Sequence, residues 1–87
     1  KIARRFFVNG LVQGVGFRFF TQRAAARHQV LGYVKNLVDG RVEVLVEGSE
    51  NAVKAFHEEL LVGPSFSRVE QVEEIVLDPS DPTRAFL

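Results

Sequence analysis

The chain has 87 residues and a formal net charge of zero, because 11 basic side chains balance 11 acidic ones. A chain of this length predicts one small domain, over residues 1–87, and its balanced charge argues against bulk attraction to nucleic acid or to an anionic membrane surface. The absence of cysteine excludes disulfides, thiolate metal sites and a cysteine nucleophile.

Hydrophobic periodicity predicts a strand and then a helix in the first third of the chain. The strand is expected over residues 3–12, with Phe6, Val8 and Val12 on one face. The helix is expected over Phe17–His28. Its buried stripe is expected to contain Phe17, Phe20, Ala24, Ala25 and His28.

A hairpin is expected next, between strands over residues 32–37 and 41–47. Its Asp-Gly turn is compatible with two registers, one with a two-residue loop and one with a three-residue loop over residues 38–40. The longer loop pairs Val34 with Val44 and keeps both in the core. We therefore predict the longer loop, because a one-residue slip would turn Val34 to the opposite face.

The second half of the chain predicts another helix and another strand. Ser49 is suited to cap the start of the helix, and the Gly-Pro pair at residues 63–64 is suited to end it. A fourth strand is expected over residues 69–77. After a turn-rich break, residues 83–87 are expected to add a short edge strand.

The resulting order of elements is βαββαβ, which predicts an α+β fold of the ferredoxin-like, split βαβ type. In this fold an antiparallel sheet carries two helices on one face. Because each element reverses direction, the first strand ends where the first helix begins and where the second strand ends. Arg18 and Asn36 are therefore expected to converge, and pairing Asn36 with Val42 turns its amide toward the helix side.

The most informative segment is Gln13-Gly14-Val15-Gly16-Phe17-Arg18. Its two glycines allow backbone angles that aim several N–H groups at one point, and a helix start adds further unpaired donors. Arg18 falls in the first helical turn, where the helix dipole disfavours a cation unless an anion is bound nearby. The segment predicts a phosphate or carboxylate cradle, although an ordinary glycine-rich connection explains these residues equally well.

Two blocks of the chain resemble the acylphosphatase family. Residues 10–18 read Gly-Leu-Val-Gln-Gly-Val-Gly-Phe-Arg, against the family signature Gly-x-Val-Gln-Gly-Val-x-Phe-Arg. Residues 32–42 match its second block, Gly-aromatic-Val-Lys/Arg-Asn, three residues, Gly, one residue and Val. The chain departs from many relatives at Gln29, where they carry glycine near the end of the first helix, and from some at Leu37, where they carry threonine.

The resemblance implies hydrolysis of an acyl phosphate to a carboxylate and inorganic phosphate, without a metal or another cofactor. It implies that Arg18 and Asn36 are the catalytic residues, with Arg18 binding the phosphoryl oxygens and Asn36 orienting the attacking water. The substrate-binding residues would be Gln13, Gly14, Val15, Gly16, Phe17 and Arg18. His28 and His57 are too few and too far apart in sequence to suggest a metal site.

Two other functions share features with this sequence. The same cradle would serve a non-catalytic module that binds acyl or carbamoyl phosphate within a larger maturation protein. An RNA-binding domain of the same element order is disfavoured, because residues 41–47 contain no aromatic side chain. With no long apolar run and no visible secretory signal, the chain predicts a cytoplasmic protein that does not bind a membrane. Its neutral net charge disfavours nucleic acid as a partner, and a monomer is expected.

Overall fold

The computed structural model describes residues 1–79 and 85–87, and it has the predicted βαββαβ order. The elements are β1 (Ile2–Leu11), α1 (Phe17–His28), β2 (Leu31–Asn36), β3 (Val42–Gly48), α2 (Glu50–Val62) and β4 (Arg68–Leu77). The four strands form one sheet in the order β2-β3-β1-β4, and each neighbouring pair is antiparallel. The fold class predicted from the sequence is confirmed, and the predicted strand bounds differ from the observed ones by at most one residue.

The hydrophobic core lies between the sheet and the two helices. Phe6 and Val8 of the central strand β1 are fully buried there, as the strand pattern predicts. On α1 the buried residues include Thr21, whereas the predicted stripe residues Phe20 and His28 are only half-buried. Thr21 can occupy the core because its hydroxyl donates a 2.8 Å hydrogen bond to the carbonyl of Phe17, which satisfies its polar atom.

The β2–β3 hairpin has the longer of the two loops considered. Val34 pairs with Val44, and Asn36 pairs with Val42, as predicted. The backbone N–H of Leu37 donates to the carbonyl of Arg41 at 2.8 Å and closes the neck of the loop. This register puts Val34 in the core and leaves Asn36 at the open end of β2.

The predicted edge strand over residues 83–87 falls partly on described residues. Residues 85–87 run beside β2, where the backbone N–H of Leu87 donates to the carbonyl of Gly32 at 2.8 Å. Phe86 forms a parallel bridge with Gly32 and packs against the core. The remaining part of that prediction, and most of the predicted turn before it, lies outside the described residues.

Glu59 of α2 lies where the two helices meet. Its carboxylate contacts the side chains of Arg27 and His28 at the end of α1, and thereby ties the two helices together. Burial raises the pKa of Glu59, but hydrogen bonds from His28 and Arg27 outweigh that effect and leave it lowered. Local sequence patterns could not predict these contacts, because His28 and Arg27 lie 31 and 32 residues before Glu59 in the chain.

Helix α1 ends at a strained residue. Gln29 has φ 55° and ψ 43°, a left-handed conformation that glycine adopts far more easily. The geometry is held because the backbone N–H of Val30 donates to the carbonyl of Ala25 at 3.1 Å, and that of Gln29 to Ala26 at 3.3 Å. The departure from glycine noted in the sequence therefore adds backbone strain at this corner.

Replacing Gln29 with glycine is expected to stabilise the protein. Removing a Cβ from the left-handed region relieves ~1 kcal/mol, partly offset by the greater freedom of glycine in the unfolded chain. In a domain of this size each kcal/mol corresponds to about 4–8 °C in melting temperature. Thermal unfolding followed by circular dichroism measures the change. Gln29→Ala is the control, because it keeps the Cβ; an equal gain in that variant would show that backbone strain is not the cause.

Candidate active site

The loop between β1 and α1 depends on two glycines for its backbone path. Gly14 has φ 74° and Gly16 has φ 78°, and a Cβ added at either position would meet no atom within 4 Å. Crowding therefore does not require glycine here, whereas the backbone conformation favours it. The loop directs the chain from the end of the central strand into the first turn of α1.

The start of α1 has unpaired backbone donors. The first helical hydrogen bond runs from the N–H of Phe20 to the carbonyl of Gly16 at 3.0 Å, so the helix supplies no acceptor for residues 17–19. Gly16 precedes the helix and offers no capping side chain, and the first turn has no acidic residue. Positive charge from the helix dipole and Arg18 is therefore concentrated at one place, which favours an anion.

Arg18 and Asn36 line the same cavity, although 17 residues separate them in the sequence. The cavity has a volume of about 220 Å³ and is lined by Val12, Gly14, Gly16, Phe17, Arg18, Phe19 and Asn36. Val12 and Phe17 are buried, whereas Arg18 and Asn36 are exposed. In the described part of the chain no carboxylate forms an ion pair with Arg18, so its guanidinium remains accessible to an anion.

Asn36 reaches the cavity because it is the last residue of β2 and shares the face of Val34. The predicted register turns its amide toward the helix side, and the structure leaves Asn36 exposed there at the cavity. An exposed amide at this position has both a donor and an acceptor available for water or substrate.

Gln13 and Val15, two of the six predicted substrate-binding residues, are not among the residues that line the cavity. The Val15 side chain packs against the hydrophobic core. The side-chain amide of Gln13 donates to two backbone carbonyls of the β2–β3 hairpin, that of Leu37 at 2.8 Å and that of Arg41 at 2.9 Å. The other four predicted residues line the cavity.

Phe19 lines the cavity, although no sequence pattern predicted it as a site residue. It is 64% exposed, and the guanidinium of Arg23 lies 5.5 Å from its ring centroid. The helical stripe pattern could not find it, because that pattern selects residues that face the core. Its only sequence signal is its place directly after Arg18.

Within residues 1–79 and 85–87, no group of three or more His, Cys, Asp and Glu side chains converges to hold a metal ion. None of the helices in those residues is long and apolar enough to cross a membrane. The predicted independence from metals remains a prediction to be tested by chelation.

Comparison with known proteins identifies the family. The family model described as Acylphosphatase matches residues 4–87. The chain belongs to the acylphosphatase family. It is similar to the acylphosphatase of Bacillus subtilis (strain 168), with 50% identity over 68 residues, which cover 78% of this chain and 75% of that protein. The acylphosphatase of Koribacter versatilis is 43% identical over 83 residues, which cover 95% of this chain and 76% of that protein.

Solved structures of family members have the same fold. A crystal structure of acylphosphatase from Bacillus subtilis superimposes with a TM-score of 0.96 at 41% identity, covering 99% of this chain and 96% of the other. Full-length HypF, in a phosphate- and nucleotide-bound form, contains a similar region with a TM-score of 0.89 at 31% identity. The match covers 98% of this chain but 11% of HypF, so the likeness concerns one part of that larger protein.

Inorganic phosphate is expected to stabilise the folded protein through this cavity. A ligand that binds only the folded state adds ~2.7 kcal/mol at a hundredfold excess over its dissociation constant. At about 4–8 °C per kcal/mol, the melting temperature should rise by roughly 10–20 °C. The measurement is thermal unfolding with and without phosphate at matched ionic strength. The rise should largely vanish in Arg18→Ala; an equal rise in both proteins would mean that phosphate acts on the solvent and not at this site.

Proposed function

We propose that this chain is an enzyme that hydrolyses acyl phosphates to a carboxylate and inorganic phosphate, by direct attack of water and without a metal. One observation carries the proposal: Arg18 and Asn36 line one cavity beside the unpaired donors at the start of α1. Membership of the acylphosphatase family, with stand-alone relatives of similar length, supports the same activity.

Arg18 would bind the phosphoryl group. Its planar guanidinium can donate two parallel hydrogen bonds to a pair of phosphoryl oxygens. Backbone N–H groups in the segment from Val15 to Arg18 would bind the remaining oxygens and stabilise the charge that develops in the transition state. Because these donors are fixed by the backbone, little reorganisation is needed when the substrate reacts.

Asn36 would hold the attacking water. Its carbonyl oxygen can accept a hydrogen bond from that water, and its amide can donate to the water or to a phosphoryl oxygen. The leaving group is a carboxylate, which is stable as an anion and needs little help from a general acid. Catalysis would therefore consist mainly of positioning and electrostatic stabilisation.

A covalent phospho-enzyme is not part of this proposal. The residues that line the cavity include no carboxylate, imidazole, hydroxyl or thiol side chain to act as a nucleophile. Direct transfer of the phosphoryl group to water is the simplest reaction that these residues can support.

The alternative is a binding module for acyl or carbamoyl phosphate within a larger protein, and the likeness to part of HypF favours it. The stand-alone acylphosphatases match at higher identity and over most of their own length, which favours hydrolysis. We further propose that residues 1–87 act as one domain, as a cytoplasmic monomer that binds neither membrane nor nucleic acid. Both catalytic side chains come from one chain, which is consistent with a monomer.

Substitutions of the two catalytic residues should affect different kinetic constants. Arg18→Ala should weaken binding of benzoyl phosphate and inorganic phosphate, by ~10- to 100-fold for the loss of charged hydrogen bonds. Asn36→Ala should lower kcat by ~10²- to 10³-fold, with phosphate inhibition nearly unchanged. Steady-state hydrolysis of benzoyl phosphate, with phosphate as a product inhibitor, measures both.

Exposed residues of the same types provide controls. Arg68→Ala and Asn51→Ala remove an arginine and an asparagine that lie outside the cavity, and they should retain wild-type rates. Near wild-type hydrolysis by Arg18→Ala would refute the assignment of that residue. Binding of phosphate without turnover by the unmodified protein would favour the binding module.

Chelation tests the independence from metals. Activity toward benzoyl phosphate should survive exhaustive treatment with EDTA, because the proposed electrostatic stabilisation comes from Arg18 and backbone donors. The assay compares initial rates before and after treatment. Loss of activity that returns on adding Mg²⁺ would contradict the proposed mechanism.

A further inference from the structure

Gln13 connects the two halves of the site. It lies directly before Gly14 of the glycine-rich loop, and its side-chain nitrogen donates to the carbonyls of Leu37 and Arg41 at 2.8 and 2.9 Å. These carbonyls belong to the two residues that close the neck of the β2–β3 hairpin. One amide group thus connects two parts of the site. It holds the glycine-rich loop, which would bind the phosphoryl group, next to the segment that follows Asn36.

These bonds use up the donors of the Gln13 side chain. An amide nitrogen has two hydrogens, and the two carbonyls provide one acceptor for each. The atom that remains is the side-chain carbonyl oxygen, which accepts hydrogen bonds and would repel a phosphoryl oxygen. Gln13 is therefore poorly suited to bind the phosphoryl group through its side chain.

The hydrogen bonds of Gln13 lie where they could control the position of Asn36. Leu37 directly follows Asn36, and Asn36 is the terminal residue of β2, where strand pairing gives way to the loop. A shift of ~1 Å in a positioning group can lower a rate by ~100-fold. Fixing the hairpin neck to the glycine-rich loop would keep Asn36 at a constant distance from the phosphoryl group.

We propose that Gln13 is a positioning residue, which acts through Asn36 by holding the hairpin neck against the phosphoryl-binding loop. This role rests on the proposed function, because Gln13 would position Asn36, the residue proposed to orient the attacking water. It replaces the substrate-binding role that the sequence suggested for Gln13.

A double-mutant cycle tests the inference. Gln13→Ala should lower kcat for benzoyl phosphate by ~10- to 100-fold, whereas the inhibition constant of inorganic phosphate should change less than ~2-fold. In the Asn36→Ala background the same change should lower kcat by less than ~2-fold, because the residue that it positions is already gone. Gln13→Glu keeps the size but loses both donors, so kcat should fall at least as far as in Gln13→Ala.

Two controls separate positioning from a general loss of structure. Thermal unfolding establishes that each variant is folded at the assay temperature. Asp39→Ala removes contacts with the backbone and side chain of Arg41 at 3.1 and 2.8 Å, and so perturbs the hairpin from its tip and not from the loop. Asp39→Ala should keep its kcat; a loss equal to that of Gln13→Ala would overturn the inference.

The remaining outcomes distinguish this inference from the proposed function. If Gln13→Ala weakens phosphate binding and keeps kcat, Gln13 binds substrate and the inference is wrong. If the effects of Gln13→Ala and Asn36→Ala on kcat multiply, the two residues act independently and the inference is wrong, although the proposed function stands. If Asn36→Ala alone keeps wild-type turnover, the role proposed for Asn36 fails, and the inference fails with it.

Discussion

The arrangement of the site depends on the unpaired backbone N–H groups at the start of α1. A helix cannot pair its own first donors, and a capping side chain usually satisfies some of them. Here the residue before the helix is Gly16, in a left-handed conformation and without a side chain, and Arg18 adds further positive charge. The folded protein therefore has a concentration of positive charge and unpaired donors at one end of its sheet, which favours an anion there.

The sheet brings the other half of the site to the same end. Because β1, α1 and β2 reverse direction in turn, the last residue of β2 meets the first turn of α1. Strand parity then determines which residue is presented, since Val34 and Asn36 point to one face and the residues between and beside them to the other. A register shifted by one residue would move Asn36 away from the cavity and Val34 out of the core together. Core burial therefore fixes the placement of a polar site residue.

Stability and function are separated along α1. Its first turn contains Arg18, at the end where the helix dipole disfavours a cation. This arrangement favours binding of an anion and does not stabilise the protein without one. The far end carries Arg27 and His28, where the dipole favours positive charge and Glu59 of α2 pairs with both. The middle of the helix packs Ala24 and Ala25 against the sheet without exposing polar atoms to the core. One helix thus combines an accessible start, whose backbone donors are unpaired, with an end whose side chains pair with α2.

Local rules in the sequence determined the element order, the hairpin register and the glycine-rich turn. Period-2 and helical patterns, turn chemistry and face parity each act within a few residues, so Val34, Val44 and Gly40 could be placed without a structure. The partners of Gln13 and Glu59 could not be predicted in this way. Their contacts span 24 to 32 residues and depend on how separate elements pack against each other. The burial of Thr21 in place of Phe20 likewise depended on the orientation of α1 against the sheet. The sequence by itself predicted an anion-binding segment from its glycines and Arg18, whereas tertiary packing decided which residues of that segment face the cavity, because cavity lining depends on how separate elements meet.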